Sequence, residues 1–292
     1  MPQPMMATHA RRWFAGLLFS TGAVAMPSPP PSVDAFCDTL ATRVNGLSAQ
    51  TCRNAGLHIA GRSVDNRPLL QRDFSETRRG ARRILLIGAI HGDEPAASKL
   101  VFDWMRRIDA QTQRGVHWRV APCVNPDGIM APKPTRTNAH GVDLNRNFPS
   151  ADWSSQALRY WATRTRSDPR RYPGIGPASE PETRWLVAQI QEFKPDAIVS
   201  VHAPYGVLDY DGPREPPRRL GFLHLQQLGF YPGSLGGYAG HNLRLPVLTL
   251  ELPEANRPPS DIQSAQLWKD LLSWVDRHLP PSSAGLAVTN GR

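Results

Sequence analysis

The stretch Asp143-Leu144-Asn145-Arg146-Asn147-Phe148-Pro149 gathers an Asp, two Asn and an Arg in close succession. A hydrophobic core has no use for that mixture. A planar guanidinium beside an amide grips a carboxylate through paired hydrogen bonds, so the stretch points to a ligand with a free acid group. Other polar clusters are His91-Gly92-Asp93-Glu94, Asn125-Pro126-Asp127-Gly128, His202, and Glu251 between Leu250 and Leu252. Taken singly, most have plain explanations. Glu94 can simply start a helix, Asn-Pro-Asp-Gly is a good turn, and one His after a strand is commonly a hydrogen-bonded loop residue. Glu251 is different, because a carboxylate in a Val-Leu-Thr-Leu-Glu-Leu strand must be paired, coordinated or protonated. Together, His91, Glu94 and His202 offer two imidazoles and a carboxylate, which suits a catalytic zinc with one open position. Glu251 is left over as a base.

The elements that must position these groups read as an alternation of strands and helices. Residues 56–74 alternate apolar and polar residues around Asp65-Asn66-Arg67-Pro68, as a hairpin does. Ile84 to Ile90, Val116 to Val124, Ala197 to Val201 and Val247 to Leu252 are short apolar runs of the kind buried on both faces of a sheet. Pro95 to Ile108 and Glu180 to Phe193 have helical spacing, with Pro at the start of the first and acidic residues in the first turn of the second. Asp261 to His278 reads as a closing helix with Ile262, Leu267, Leu271, Leu272 and Val275 on its apolar side, stopped by Pro280. The expected fold is α/β, a three-layer α/β/α arrangement around a mixed, mostly parallel twisted sheet. In such sheets ligands bind beyond the carboxyl ends of the strands, where the polar clusters fall.

The chain has 292 residues, 40% hydrophobic and 20% charged, which suits an ordinary globular domain with a sizeable core. Residues 1–25 read as a secretory signal peptide: a basic start at His9, Arg11 and Arg12, an apolar stretch from Trp13, and Ala23-Val24-Ala25 as the cleavage signal. Arg11-Arg12-Trp13-Phe14 also has part of a twin-arginine signal. The expected location is therefore exported, periplasmic or secreted, with a retained N-terminal anchor as the alternative. No later segment is long and apolar enough for a transmembrane helix. Residues 26–55 read as a linker and a short N-terminal segment closed by a Cys37–Cys52 disulfide, in keeping with an oxidising compartment. Residues 56–279 are the expected domain, residues 280–292 a loose tail, and Cys123 a buried thiol. The net charge of +9 includes the runs Arg78-Arg79, Arg82-Arg83 and Arg170-Arg171. These read either as a solvated face or as an attraction to an acidic polymer, with the cell wall favoured for an exported protein. No nucleic-acid motif is present, and a monomer is expected.

Five motifs in order carry a resemblance to the zinc metallocarboxypeptidases of the carboxypeptidase A superfamily. They are His91-x-x-Glu94, Asn125-Pro126-Asp127-Gly128, Asp143-x-Asn145-Arg146-Asn147, Ser200-Val201-His202 and Thr249-Leu250-Glu251-Leu252, within a match from about residue 56 to residue 278. The resemblance implies one Zn2+ per chain on His91, Glu94 and His202, with Asp143 accepting the other ring N–H of His91. It implies Glu251 as the base that deprotonates the attacking water, and Arg136 as the cation beside the developing oxyanion. It further implies that Asn145 and Arg146 hold the substrate's terminal carboxylate, and that a tyrosine covers the substrate. Tyr231 is the candidate for that role, with Tyr238 and Tyr210 as alternatives. Gly141 to Pro149, Gly233-Ser234-Leu235-Gly236 and Leu250-Glu251-Leu252-Pro253 look closest to a bacterial branch, the murein peptide amidases, which cut the γ-D-glutamyl–diaminopimelate bond. A general carboxypeptidase acting on L-peptides and a non-catalytic muropeptide-binding module are the alternatives. Leu235 lies near the family's specificity pocket. Asp209 and Asp211 read either as turn formers or as partners for the distal ammonium of diaminopimelate, and Arg214, Arg218 and Arg219 suit acidic substrate groups equally well.

Overall fold

The computed structural model describes residues 31–76, 78–110 and 115–281. The expected leader, most of the linker after it and the tail beyond residue 281 lie outside the described residues. In chain order the helices and strands are α1 (Val33–Ala41), α2 (Ala49–Arg53), β1 (His58–Arg62), β2 (Pro68–Phe74), β3 (Arg82–Gly88), α3 (Pro95–Ala110), β4 (Val116–Ala121), α4 (Pro126–Met130), α5 (Trp153–Arg164), α6 (Pro181–Phe193), β5 (Ala197–His202), β6 (Val207–Asp211), β7 (Arg219–Leu220), β8 (Leu223–Leu225), β9 (Val247–Glu251) and α7 (Asp261–His278). Short helical turns span Leu144–Arg146 and Pro169–Arg171, and a wider π-type turn spans Gly236–Asn242.

The strands form one sheet in the order β1-β2-β4-β3-β5-β9-β6-β8-β7. Its centre, β4-β3-β5-β9, is parallel. The β1–β2 hairpin and β6 join this centre antiparallel. Strand alternation sends Ile84 and Leu86 of β3 to one face and Leu85 and Ile87 to the other. Both faces are apolar because both are covered, which is why the run carries no polar alternation. On the first face α3 and α7 meet through Trp104 and Trp268, with ring centroids 5.1 Å apart, and Trp118 of β4 lies 5.0 Å from Trp268. Each such side chain withdrawn from water contributes roughly 1.5–3 kcal/mol. On the second face α6 and the Gly236–Asn242 turn cover the sheet through Leu186, Ile190 and Tyr238.

Two expectations change. Residues 26–55 were set apart from the domain, but Phe36, Leu40, Val44 and Leu47 sit in the same core cluster as β3 and β5. Cys37 and Cys52 are bonded and fully buried in that cluster, so the disulfide ties the two short helices α1 and α2 to each other while their apolar residues pack into the domain core. Ile262 is 83% exposed. The buried residues of α7 are Ser264, Leu267, Trp268, Leu271, Trp274 and Val275, a stripe that extends backwards to one side of Ile262. No helix among the described residues is long and apolar enough to cross a membrane.

Candidate active site

The core-facing side of β5 and β9 changes character towards the carboxyl ends of the strands. Ile198 and Val247 are in the core, whereas Ser200, His202, Thr249 and Glu251, on the same side by alternation, line a cavity of about 210 Å³. The parallel register sets Ser200 beside Thr249 and His202 beside Glu251. β6 adds Asp209 opposite Thr249 and Asp211 opposite Val247, and both acids line the same cavity.

His91 and Glu94 come from the turn between β3 and α3. Ala89, with φ of 49°, turns the chain at the end of β3. Gly92 then passes so close to the loop after β4 that a Cβ there would lie 2.1 Å from the Gly128 carbonyl carbon. Asn125 caps α4 by accepting from the Gly128 N–H (2.8 Å), and its amide donates to the Arg136 carbonyl (3.2 Å). Asp127 accepts from Ser63 Oγ and Asp65 N–H and pairs with Arg67. The Asn-Pro-Asp-Gly motif is therefore a brace that ties the β1–β2 turn to the loop carrying Arg136.

His91, Glu94 and His202 are buried, with ligand atoms all within 4.8 Å of one another. Asp143 is an acceptor, so His91 donates Nε2–H to Asp143 Oδ1 (3.2 Å) and turns the lone pair of Nδ1 inward. His91 Nδ1 lies 2.8 Å from Glu94 Oε1 and 3.2 Å from His202 Nδ1, and His202 Nδ1 lies 3.2 Å from Glu94 Oε2. Three lone pairs converging in a buried space need a cation or protons between them. A tetrahedron with bonds of about 2.0–2.1 Å has edges of about 3.3 Å, close to these separations, and the donor set is one zinc favours. Burial and Arg136 act against the charged form of His91, but Glu94 and Asp143 outweigh them and its pKa is raised. Glu94 and Asp143 stay well below the usual carboxylate range despite burial. The two histidines hold Glu94 there, and Arg136 followed by His91 holds Asp143.

Glu251 borders this centre with Oε2 buried and unpartnered among the described residues. Burial raises its pKa, with His202 opposing and Glu94 adding to the rise. Arg136 donates Nε–H to Asp143 Oδ2 (2.8 Å), and its Nη1 lies 3.2 Å from His91 Nδ1. Its guanidinium therefore edges the position a metal would take.

Asn145 and Arg146 face the same cavity. Asn145 Oδ1 accepts from the Leu235 N–H (2.8 Å), which leaves the Nδ2 group for a ligand. Arg146 is 6% exposed, donates to the Asn145 carbonyl and lies over the Tyr231 ring at 4.4 Å. No carboxylate among the described residues is within ion-pairing distance of it. Burial lowers its pKa, Asp143 opposing and Arg136 and Arg171 adding to the fall. Of the three tyrosines weighed, Tyr231 alone lines this cavity. Tyr238 stacks on Phe148 in the core, and Tyr210 packs against Trp274.

Leu235 lines the cavity, and Gly236 gives Asp211 room, since a Cβ there would meet Asp211 Oδ2 at 2.0 Å. Burial, then Asp209, pushes the Asp211 carboxyl up to about 6. Arg218 and Arg219 line a different cavity with Trp274 and His278. Cys123 is buried, and burial pushes its thiol up to about 12. Sequence reasoning missed Tyr205, which lines the cavity after a cis Ala203–Pro204 bond, and read Arg171 only as part of a basic run. It read Glu180 and Glu182 only as acids suited to a helix start, whereas they are buried, accept from the Asn138 amide and hold the loop leading to Asp143.

A family model described as zinc carboxypeptidase matches residues 43–220, a stretch that holds His91, Glu94, Arg136, Arg146 and His202. Murein peptide amidase A of Escherichia coli K12 is 30% identical over 232 residues, covering 75% of this chain and 90% of that protein. The crystal structure of murein-tripeptide amidase MpaA from Escherichia coli O157 superposes with a TM-score of 0.53 at 29% identity, covering 75% of this chain and 92% of that one. Carboxypeptidase A from Helicoverpa armigera shares the fold, with a TM-score of 0.59 at 16% identity over 80% of this chain and 69% of that one.

Proposed function

The chain belongs to the zinc carboxypeptidase family, and we propose that within it the protein is an exported amidase of cell-wall peptides, cutting the bond between γ-D-glutamate and diaminopimelate. The observation that carries this reading is one cavity that joins the His91–Glu94–His202 cluster, the unpaired buried cation Arg146 and the acid pair Asp209 and Asp211. Diaminopimelate brings a carboxylate next to the scissile amide and, at its far end, an ammonium beside a second carboxylate. The cavity offers Arg146 with Asn145 to the first carboxylate and Asp209 with Asp211 to the ammonium. Likeness to two murein amidases over three quarters of the chain supports the same substrate. The leader at residues 1–25 supports export, so the protein would meet stem peptides outside the cytoplasm.

Bound by His91, Glu94 and His202, zinc would supply a Lewis acid that polarises a carbonyl and lowers the pKa of water. Asp143 holds His91 in the tautomer that presents Nδ1. Glu251 takes a proton from the attacking water as the C–O bond forms, and passes it to the departing amine as the C–N bond breaks. Arg136 stands where negative charge develops on the former carbonyl oxygen. Tyr231, packed against Arg146, closes over the bound residue. Retention of Glu251 and the complete ligand set argues against a binding-only module.

Mass spectrometry after incubation with L-Ala-γ-D-Glu-meso-diaminopimelate and with a panel of L-peptides tests the reading. Release of diaminopimelate from the first, without trimming of the panel, is expected. Trimming of the L-peptides alone would make the protein a general carboxypeptidase.

A further inference from the structure

We infer that the cleft continues past the metal centre into a cationic subsite, where Arg171 beside Arg136 binds the free α-carboxylate of the γ-glutamyl residue on the acyl side of the scissile bond. This rests on the murein reading above. A glutamyl residue linked through its side chain keeps its α-carboxylate ionised, a short methylene chain from the carbonyl under attack. An ordinary α-linked peptide has no charge there.

The cavity of the metal centre shares Arg136, Arg171 and Tyr205 with an adjoining cavity of about 250 Å³, which Arg170 also lines. The cations of this region differ in how they are engaged. Arg170 pairs with Asp93 at 2.6 Å and Arg136 with Asp143 at 2.8 Å. Arg146 is assigned to the substrate's terminal carboxylate. The carboxylate paired with Arg171 is Asp168, which stands 3.7 Å from Nε, beyond hydrogen-bonding distance. Asp168 is meanwhile occupied as the cap of the Pro169–Arg171 turn, accepting from the Arg170 N–H at 2.9 Å.

Arg171 is also held in place. Its N–H donates to the Asp168 carbonyl (2.9 Å), and the carbonyl of the next residue, Tyr172, accepts from the Asp143 N–H (2.8 Å). The turn is thereby fixed to the residue that orients His91. Arg136, Arg146 and Arg171 thus face one cleft, and the acids nearest Arg171 are engaged elsewhere, Asp93 by Arg170 and Asp168 by the Arg170 N–H. A substrate with a single carboxylate near the reaction meets Arg146 and leaves Arg171 without a close acceptor. Besides the distal carboxylate of diaminopimelate, a γ-D-glutamyl–diaminopimelate peptide brings two near the reacting carbonyl, one on each side of the scissile amide. A guanidinium suits the second because it meets a carboxylate with two parallel donors.

The test compares L-Ala-γ-D-Glu-meso-diaminopimelate with the same peptide bearing an α-carboxamide on the glutamyl residue. The wild-type protein should prefer the acid over the amide by about 10- to 100-fold in kcat/KM, the range of a hydrogen bond to a charged group. Arg171→Gln should reduce that preference to near unity, and Arg171→Lys should keep part of it. Equal use of acid and amide by the wild type, or a preference that survives Arg171→Gln, would overturn the assignment. Cleavage of neither tripeptide would overturn the murein reading itself, and this assignment with it.

Discussion

Replacing Arg146 with Met separates binding from folding more sharply than any other change in the cleft. Arg146 is buried without an ion-pair partner among the described residues, and burial depresses its pKa. Withdrawing such a charge from water costs several kcal/mol. Its contact with Tyr231 at 4.4 Å returns about 0.5–2 kcal/mol, and the Asn145 carbonyl returns a little more. Met fills similar volume without the charge, so the variant should unfold at or above the wild-type temperature. Catalysis should move the other way. Losing one partner of a buried ion pair costs about 3–5 kcal/mol, or roughly two to four orders of magnitude in kcat/KM. Steady-state kinetics, differential scanning calorimetry and zinc analysis on one preparation check all three quantities, and zinc content should hold. A second substrate with its C-terminal carboxylate amidated should show little further loss, because the group Arg146 reads is already missing. A lowered unfolding temperature with nearly intact kcat/KM would make Arg146 a structural residue and not a carboxylate ligand.

Asp143→Ala should act on the metal instead, because it removes the acceptor that fixes His91. Competition against a chelating dye should show zinc affinity lower by about 10- to 100-fold, and wild-type affinity would contradict this. Asp211 has its carboxyl pushed up to about 6 by burial and by Asp209. It is charged above that pH and neutral below, so KM for a diaminopimelate substrate should rise as pH falls from 7.5 to 5. Asp211→Asn should raise KM at pH 7.5 and flatten the profile, and a pH-dependent KM that survives the substitution would place the ammonium elsewhere.

The central strands were legible because burial on both faces leaves uninterrupted apolar runs such as Ile84 to Ile90. The candidate metal cluster and Glu251 were legible because polar groups at the ends of such runs, Glu251 above all, violate the pattern around them. What the sequence hid depends on tertiary contacts. β6 to β8 are short and take their partners from β9 and from each other, and the Gly236–Asn242 turn brings Gly236 and Gly240 against Asp211. α5 buries only Trp153 and Ala157, too few to mark a helix. The segment before residue 56 read as an appendage because of its linker and cysteines, yet its apolar face fills the main core. Arg171 carries no local signal, since only the fold brings its turn to the cleft.

In the proposed reaction a zinc centre on His91, Glu94 and His202, with Glu251 as its base, cleaves the γ-D-glutamyl–diaminopimelate bond. The most direct measurement follows diaminopimelate release by mass spectrometry for the wild type and Glu251→Gln, with zinc determined on both samples. About one zinc per chain in each is expected, with release by the wild type and none by the variant. Undiminished release by Glu251→Gln, or a wild type that turns over without zinc, would rule out this zinc centre and its base.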